Sequence, residues 1–124
     1  MTEAEETHKL VTDYIEMMCA SDVDGIIALF AANATAEDPV GGDVQNGKQA
    51  IEAFYAKNAP LLQVELCGPI CVAGNSVAFP ILAELSMGGS KSYLNAIDTF
   101  EFGEDGKIVR MRAFWNPAEM RPQR

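Results

Sequence analysis

Apolar residues recur at helical spacing along the first third of the chain. Leu10, Val11, Tyr14, Ile15, Met17 and Met18 stand in i, i+3, i+4 and i+7 relations, which lay an apolar stripe along one helix face. Ser21 or Asp22 suits the N-cap of a second helix carrying Val23, Ile26, Ile27, Leu29 and Phe30. A short extended segment follows from Ala34 to Asp38, where Pro39 forces Asp38 out of the helical region. Gly41-Gly42 marks a turn, and Lys48 to Lys57 reads as a third helix with Ile51, Phe54 and Tyr55 inward. From Leu61 the period changes to two. The spacing predicts strands over Gln63–Val72, Ser76–Met87, Lys91–Phe102 and Lys107–Trp115, separated by Ala73-Gly74-Asn75, Gly88-Gly89 and Gly103–Gly106. Helices first and an antiparallel run afterwards predict an α+β fold, a curved sheet with three N-terminal helices on one face. A sheet curled round helices makes a cone, whose apolar interior suits a small hydrophobic ligand.

Composition narrows the chemistry. The 124 residues carry 9 Lys and Arg against 18 Asp and Glu, a formal charge of −9. That balance argues against a nucleic-acid groove or an anionic membrane surface, both of which need clustered cations. The one histidine, His8, excludes two-His metal sites and disfavours Ser-His-Asp or Cys-His machinery. Any chemistry must run on carboxylates, tyrosines or the backbone. Cys19, Cys67 and Cys71 are odd in number, which points to a reducing compartment. In one continuous strand Cys67 and Cys71 would stand about 13 Å apart, too far for a disulfide or a shared ion. All three read as buried packing thiols. The acidic start lacks an apolar signal core, and no apolar run approaches the ~20 residues of a membrane span. With no repeat or linker, the expectation is a single cytoplasmic domain over residues 1–124.

Three polar residues occupy faces that read as core. In the strand Tyr93–Phe102, positions 94, 96, 98, 100 and 102 share a face and are Leu, Ala, Asp, Phe and Phe. Asp98 is then either a desolvated neutral acid able to donate a hydrogen bond or the partner of Arg110 or Arg112 on the next strand. Those arginines share parity with Ile108 and Phe114, while Val109, Met111, Ala113 and Trp115 form an apolar parity on the pocket side. Asp38 shares a face with the small Ala34 and Ala36, and Glu37 points the other way, to solvent. Asp38 also reads as an ordinary strand-to-turn aspartate. Tyr14 lies among core positions, where a buried phenol needs a partner for its hydroxyl.

Several stretches carry these positions together: Asp22-Val23-Asp24-Gly25-Ile26, Ala34 to Gly41 with its Glu-Asp-Pro-Val-Gly, Ala53-Phe54-Tyr55, Ile97-Asp98-Thr99-Phe100 and Met111 to Trp115. In them the chain resembles the Δ5-3-ketosteroid isomerases of the NTF2-like, or SnoaL-like, cone-shaped superfamily, over roughly Lys9 to Asn116. An aspartate base with a tyrosine and a protonated aspartic acid as oxyanion donors is that family's known pattern. The resemblance implies Asp38 as general base, Tyr14 and Asp98 as donors to the oxyanion, and Tyr55 as hydrogen-bond partner of Tyr14. Phe30 stands where some relatives carry a third tyrosine. Trp115 and Phe54 correspond to apolar walls near the base, and Met111, Phe79, Leu82, Val64, Leu94 and Phe100 are candidate pocket lining. Ala36 and Pro80 depart from the family pattern and bear on pocket shape. The implied activity is conversion of a 3-oxo-Δ5-steroid to its Δ4 isomer without a cofactor. The implied assembly is a homodimer through the sheet, with Ile108, Arg110, Arg112 and Phe114 as candidate interface. Competing readings are a polyketide cyclase or dehydratase of the same superfamily and a non-catalytic module that binds hydrophobic ligands. A cone-fold epoxide hydrolase would need an Asp-Arg-Asp set, and no arginine has pocket parity.

Overall fold

The computed structural model describes residues 2–124. The first helix, α1 (Glu3–Ala20), begins where the Thr2 hydroxyl accepts from the Glu5 backbone N–H at 3.1 Å. It ends at Ser21 in the left-handed region, φ 53°. Val11, Tyr14 and Met18 form its buried face. Asp22 caps α2 (Val23–Ile27) by accepting from the Gly25 N–H at 3.0 Å. Gly25 has no room for a side chain, because a Cβ there would collide with the capping carboxylate.

After β1 (Phe30–Glu37) and β2 (Val44–Asn46) comes α3 (Lys48–Asn58), with Ile51 and Tyr55 buried. The remaining strands are β3 (Leu62–Leu66), β4 (Cys71–Ala73), β5 (Ser76–Met87), β6 (Ser90–Phe102) and β7 (Ile108–Phe114). They form one mixed sheet in the order β2-β1-β7-β6-β5-β3, with β4 also on β5. Every pairing is antiparallel except β1 with β7, which run parallel. A hairpin could not join that parallel pair. The whole intervening chain does so, and it carries α3 across one face of the sheet. The β5–β6 hairpin turns through Gly88 and Gly89, φ 57° and 82°, left-handed values that a two-residue turn of this twist requires.

The three α-helices described pack on the concave face, and the core lies between the two layers. Val77, Phe79, Ile81 and Ala83 of β5 alternate inward beside Leu94, Ala96, Asp98 and Phe100 of β6. This is the cone-shaped α+β architecture expected from the sequence. No helix of the described chain is long and apolar enough to cross a membrane.

Three expectations are corrected. The strand over Gln63–Val72 is broken into β3 and β4, with Cys67–Ile70 irregular between them. Pro69 cannot donate to a ladder, and the backbone at Gly68 passes so close to Pro80 that a Cβ would lie 2.8 Å from its ring. Cys67 and Cys71 are consequently exposed rather than buried, and only Cys19 is partly covered, its thiol donating to the Val64 carbonyl at 3.2 Å. The spacing of a continuous strand does not apply to them.

Ile108 is not an outer-face residue. Between Glu101↔Arg110 and Phe102↔Ile108 the register shifts by one residue, so Val109 is extra on β7 and the alternation inverts. Ile108 is thereby fully buried in the core.

Candidate functional site

A cavity of about 300 Å³ opens between the helices and the concave sheet face. Its wall is mainly aliphatic and aromatic, and its polar side chains are Tyr14, Asp38, Tyr55, Asn58, Asp98 and the indole of Trp115.

Tyr14 projects from the buried face of α1, and its hydroxyl lies 2.9 Å from that of Tyr55 on α3. Edge-on packing against Phe100, at 5.0 Å between centroids, and Phe79, at 6.2 Å, holds the Tyr14 ring. Phe30 packs on Tyr55 at 5.9 Å, so the tyrosine pair is not extended on that side. Where Tyr55 donates within the pair, the Tyr14 proton is left to donate into the cavity. Burial raises the Tyr14 hydroxyl well above the ordinary phenol range, and nearby negative charge adds to it. Burial raises Tyr55 as well. Both hydroxyls therefore stay protonated at neutral pH.

Asp98 is 4% exposed, the one buried charged side chain among the described residues. The two arginines that were its alternative partners are engaged elsewhere: Arg110 pairs with Glu101 at 3.4 Å and Arg112 with Glu37 at 3.2 Å. The buried ion pair is therefore excluded. Burial, and after it the charge of Asp38, raises the Asp98 carboxyl well above the usual range.

Asp38 follows β1 directly, next to Pro39, on the face of the buried Ala34 and Ala36. The Trp115 indole donates to its Oδ1 at 2.6 Å. Burial raises the Asp38 carboxyl, and the Trp115 bond opposes that rise. Trp115 is thus a hydrogen-bond donor as well as an apolar wall. Glu37 does point away from the cavity, but it is held by Arg112 and by the Gly41 N–H at 3.0 Å rather than left to solvent.

Sheet register sets the two acids apart. Asp98 pairs directly with Ala113, and Val40 donates to the Ala113 carbonyl at 2.9 Å, which pins the Asp38 end of β1 to the other side of the same residue. The acids thus belong to strands flanking β7, and two strand spacings separate their backbones by about 10 Å. The small Ala113 side chain leaves the gap between them open to the cavity.

Of the expected lining, Trp115, Phe54, Val64 and Leu94 face the cavity. Met111, Phe79 and Phe100 do not. They are at most 1% exposed, in the layer behind the wall. Leu82 is also corrected: β5 turns its odd-numbered residues inward, so Leu82 lies on the outer face. Ile81, Ala96 and Ala113 line the cavity and had a signal in the sequence, since each is two residues from, or paired with, an inward position. Met120 had none. It reaches the cavity because Arg121 forms an isolated bridge with Tyr93, tying the end of the chain to β6.

A family model described as SnoaL-like domain matches residues 11–111. The steroid Delta-isomerase of Nocardioides simplex is 37% identical over 116 residues, covering 93% of this chain and 94% of that protein. Epoxide hydrolase LasB of Streptomyces lasalocidi is 29% identical over 119 residues, 90% of this chain but 42% of that protein. Among solved structures, the epoxide hydrolase/cyclase-like enzyme SalBIII, described as having a role in pyran ring formation in the polyether salinomycin, matches with a TM-score of 0.90. It is 31% identical, and the match covers 99% of this chain and 100% of that one.

Proposed function

We propose that this chain, which belongs to the SnoaL-like domain family, is a cofactor-independent steroid Δ-isomerase that converts 3-oxo-Δ5-steroids to their Δ4 isomers. The observation that carries this reading is the partnerless Asp98 carboxyl, buried and facing the same apolar cavity as Tyr14 and Asp38. The likeness to a steroid Delta-isomerase along nearly the whole chain supports it.

In this mechanism Asp38, ionised, takes the proton from C4 of the substrate, between the ketone and the double bond. The electron pair moves through the ring to give a dienolate, whose charge collects on the C3 oxygen. Tyr14 and protonated Asp98 donate hydrogen bonds to that oxygen, and Asp38 returns the proton to C6. Donors held in a dry site before charge develops each contribute roughly 10²–10³ in rate. Burial keeps Asp98 protonated and makes Asp38 a stronger base than an exposed aspartate, while Trp115 keeps Asp38 ionised and oriented. Treating the protein with 5-androstene-3,17-dione and following the conjugated enone absorbance tests the assignment. A rise dependent on the protein is expected, and no rise would remove it.

A second reading, a cyclase or epoxide hydrolase, is favoured by the likeness to SalBIII. The epoxide hydrolase would need an Asp-Arg-Asp set to activate a water, and the cavity lining contains no arginine. A cyclase would instead use Asp38 on a bulkier, more oxygenated ring. A non-catalytic binding module would have no use for a base and an uncharged acid flanking one residue.

The same proposal includes a homodimer, with residues 1–124 acting as one domain. On the outer sheet face Pro80, Ile97 and Phe114 pair across β5, β6 and β7 to form an apolar row, with Ile97 and Phe114 49% and 42% exposed. Arg112 lies over the Phe114 ring at 5.0 Å. The three free thiols support a reducing compartment such as the cytoplasm.

A further inference from the structure

Five of the six polar side chains in the cavity have a place in the proposed chemistry, and Asn58 does not. It occupies the last turn of α3, roughly 6 Å beyond Phe54 along the helix axis. One amide N–H is spent on the Phe54 carbonyl at 2.9 Å. The other N–H and both lone pairs of its carbonyl remain, and the side chain is half-buried in the cavity wall. These groups stay accessible rather than sealed in the wall, since no buried side-chain polar atom among the described residues lacks a partner, so they are free to meet a ligand in the cavity.

The location says what kind of partner. The cavity follows β6 away from Asp98 through Ala96 to Leu94, about 13 Å along the strand. Leu94 lies in one row with Ala83 and Val64, and the next inward row is Leu85 paired with Leu62. Asn58 leads into that far end, four residues before Leu62. Walls between the two ends are apolar: Met18, Ile81, Ala96 and Leu94. The cavity is therefore polar at both ends and apolar between them, the pattern of a rigid hydrophobic skeleton oxygenated at both extremities.

We infer that Asn58 is a specificity-determining residue that hydrogen-bonds an oxygen on the distal ring of the substrate, so the preferred steroid carries a ketone or hydroxyl at C17. This rests on the isomerase reading for the identity of the ligand. An amide is suited to either group, since it donates to a ketone and accepts from a hydroxyl.

Binding of two phenols by the wild-type protein and by Asn58→Leu and Asn58→Ser, followed by ligand fluorescence, tests the inference without depending on turnover. Equilenin carries the distal ketone, and its 17-deoxy analogue lacks it. The wild type is expected to bind equilenin roughly fivefold more tightly than the analogue, the value of one net hydrogen bond. In both variants that ratio should collapse towards one, with the deoxy analogue bound about as before. If Asn58 serves only to cap α3, both phenols weaken together and the ratio survives, which overturns the inference. A wild-type ratio of one overturns it without any variant. Enone formation with tight binding of both phenols at equal affinity would leave the isomerase standing and remove Asn58. Binding of neither phenol removes Asn58 together with its premise.

Discussion

The indole of Trp115 donates a 2.6 Å hydrogen bond to Asp38, and it is the counterweight to the burial that raises this carboxyl. Trp115→Phe keeps the ring and deletes the donor. The Asp38 pKa should then rise further, because burial is no longer opposed. A base works only when ionised, so the acid limb of the kcat/KM profile should move to higher pH. The pH dependence of kcat/KM for both proteins checks this. An unmoved limb would mean that the bond does not stabilise the ionised form.

Asp98 offers a stability test that needs no substrate. Its folded-state pKa is raised well above the unfolded value, so the folded protein holds a proton that the unfolded chain releases. Stability from the neutral form is complete below the unfolded value near ~4 and is lost as pH rises through the folded pKa. Asp98→Asn is neutral throughout. Its thermal midpoint should exceed that of the wild type by several degrees at high pH, and the difference should close towards pH ~4. A gap independent of pH would contradict a raised Asp98.

The two tyrosines should differ in weight. Tyr14→Phe removes a donor to the developing oxyanion and is expected to cost roughly 10²–10³ in kcat. Tyr55→Phe removes only the hydrogen bond that orients Tyr14, so a loss of about five- to tenfold is expected. Steady-state kcat values settle the order. The reverse order would make Tyr55 the donor.

The apolar row on the outer face is addressed by Ile97→Lys combined with Phe114→Glu. Both residues are half-exposed, so the fold should tolerate the change while a sheet-to-sheet dimer should not. Sedimentation should give two chains for the wild type and one for the variant. A monomeric wild type would remove the dimer.

The sequence already contained much of this arrangement because alternation in strands is a strict rule. Ser76–Met87 was legible to its ends, and Asp98 stood out because four residues of its parity are apolar. What failed was anything set by contacts between distant segments. The bulge that buries Ile108 arises where β7 meets Glu101 and Phe102, and nothing local to Ile108 encodes it. Met120 reaches the cavity through a bridge between Tyr93 and Arg121, 28 residues apart in sequence. Phe79, Phe100 and Met111 carried the correct inward parity, but inward includes both the cavity wall and the layer behind it. Gly68-Pro69 did carry a break signal within an otherwise strand-like run. The hydrogen bond of Trp115 was hidden because an indole is both an apolar surface and a donor.

The most direct test of the mechanism compares wild type with Asp38→Asn on 5-androstene-3,17-dione, following the enone absorbance and measuring equilenin binding in parallel. Loss of the base should lower turnover by roughly 10²–10⁴, while the phenol, held by Tyr14 and Asp98, still binds tightly. Comparable turnover in the two proteins would contradict Asp38 as the group that carries the proton.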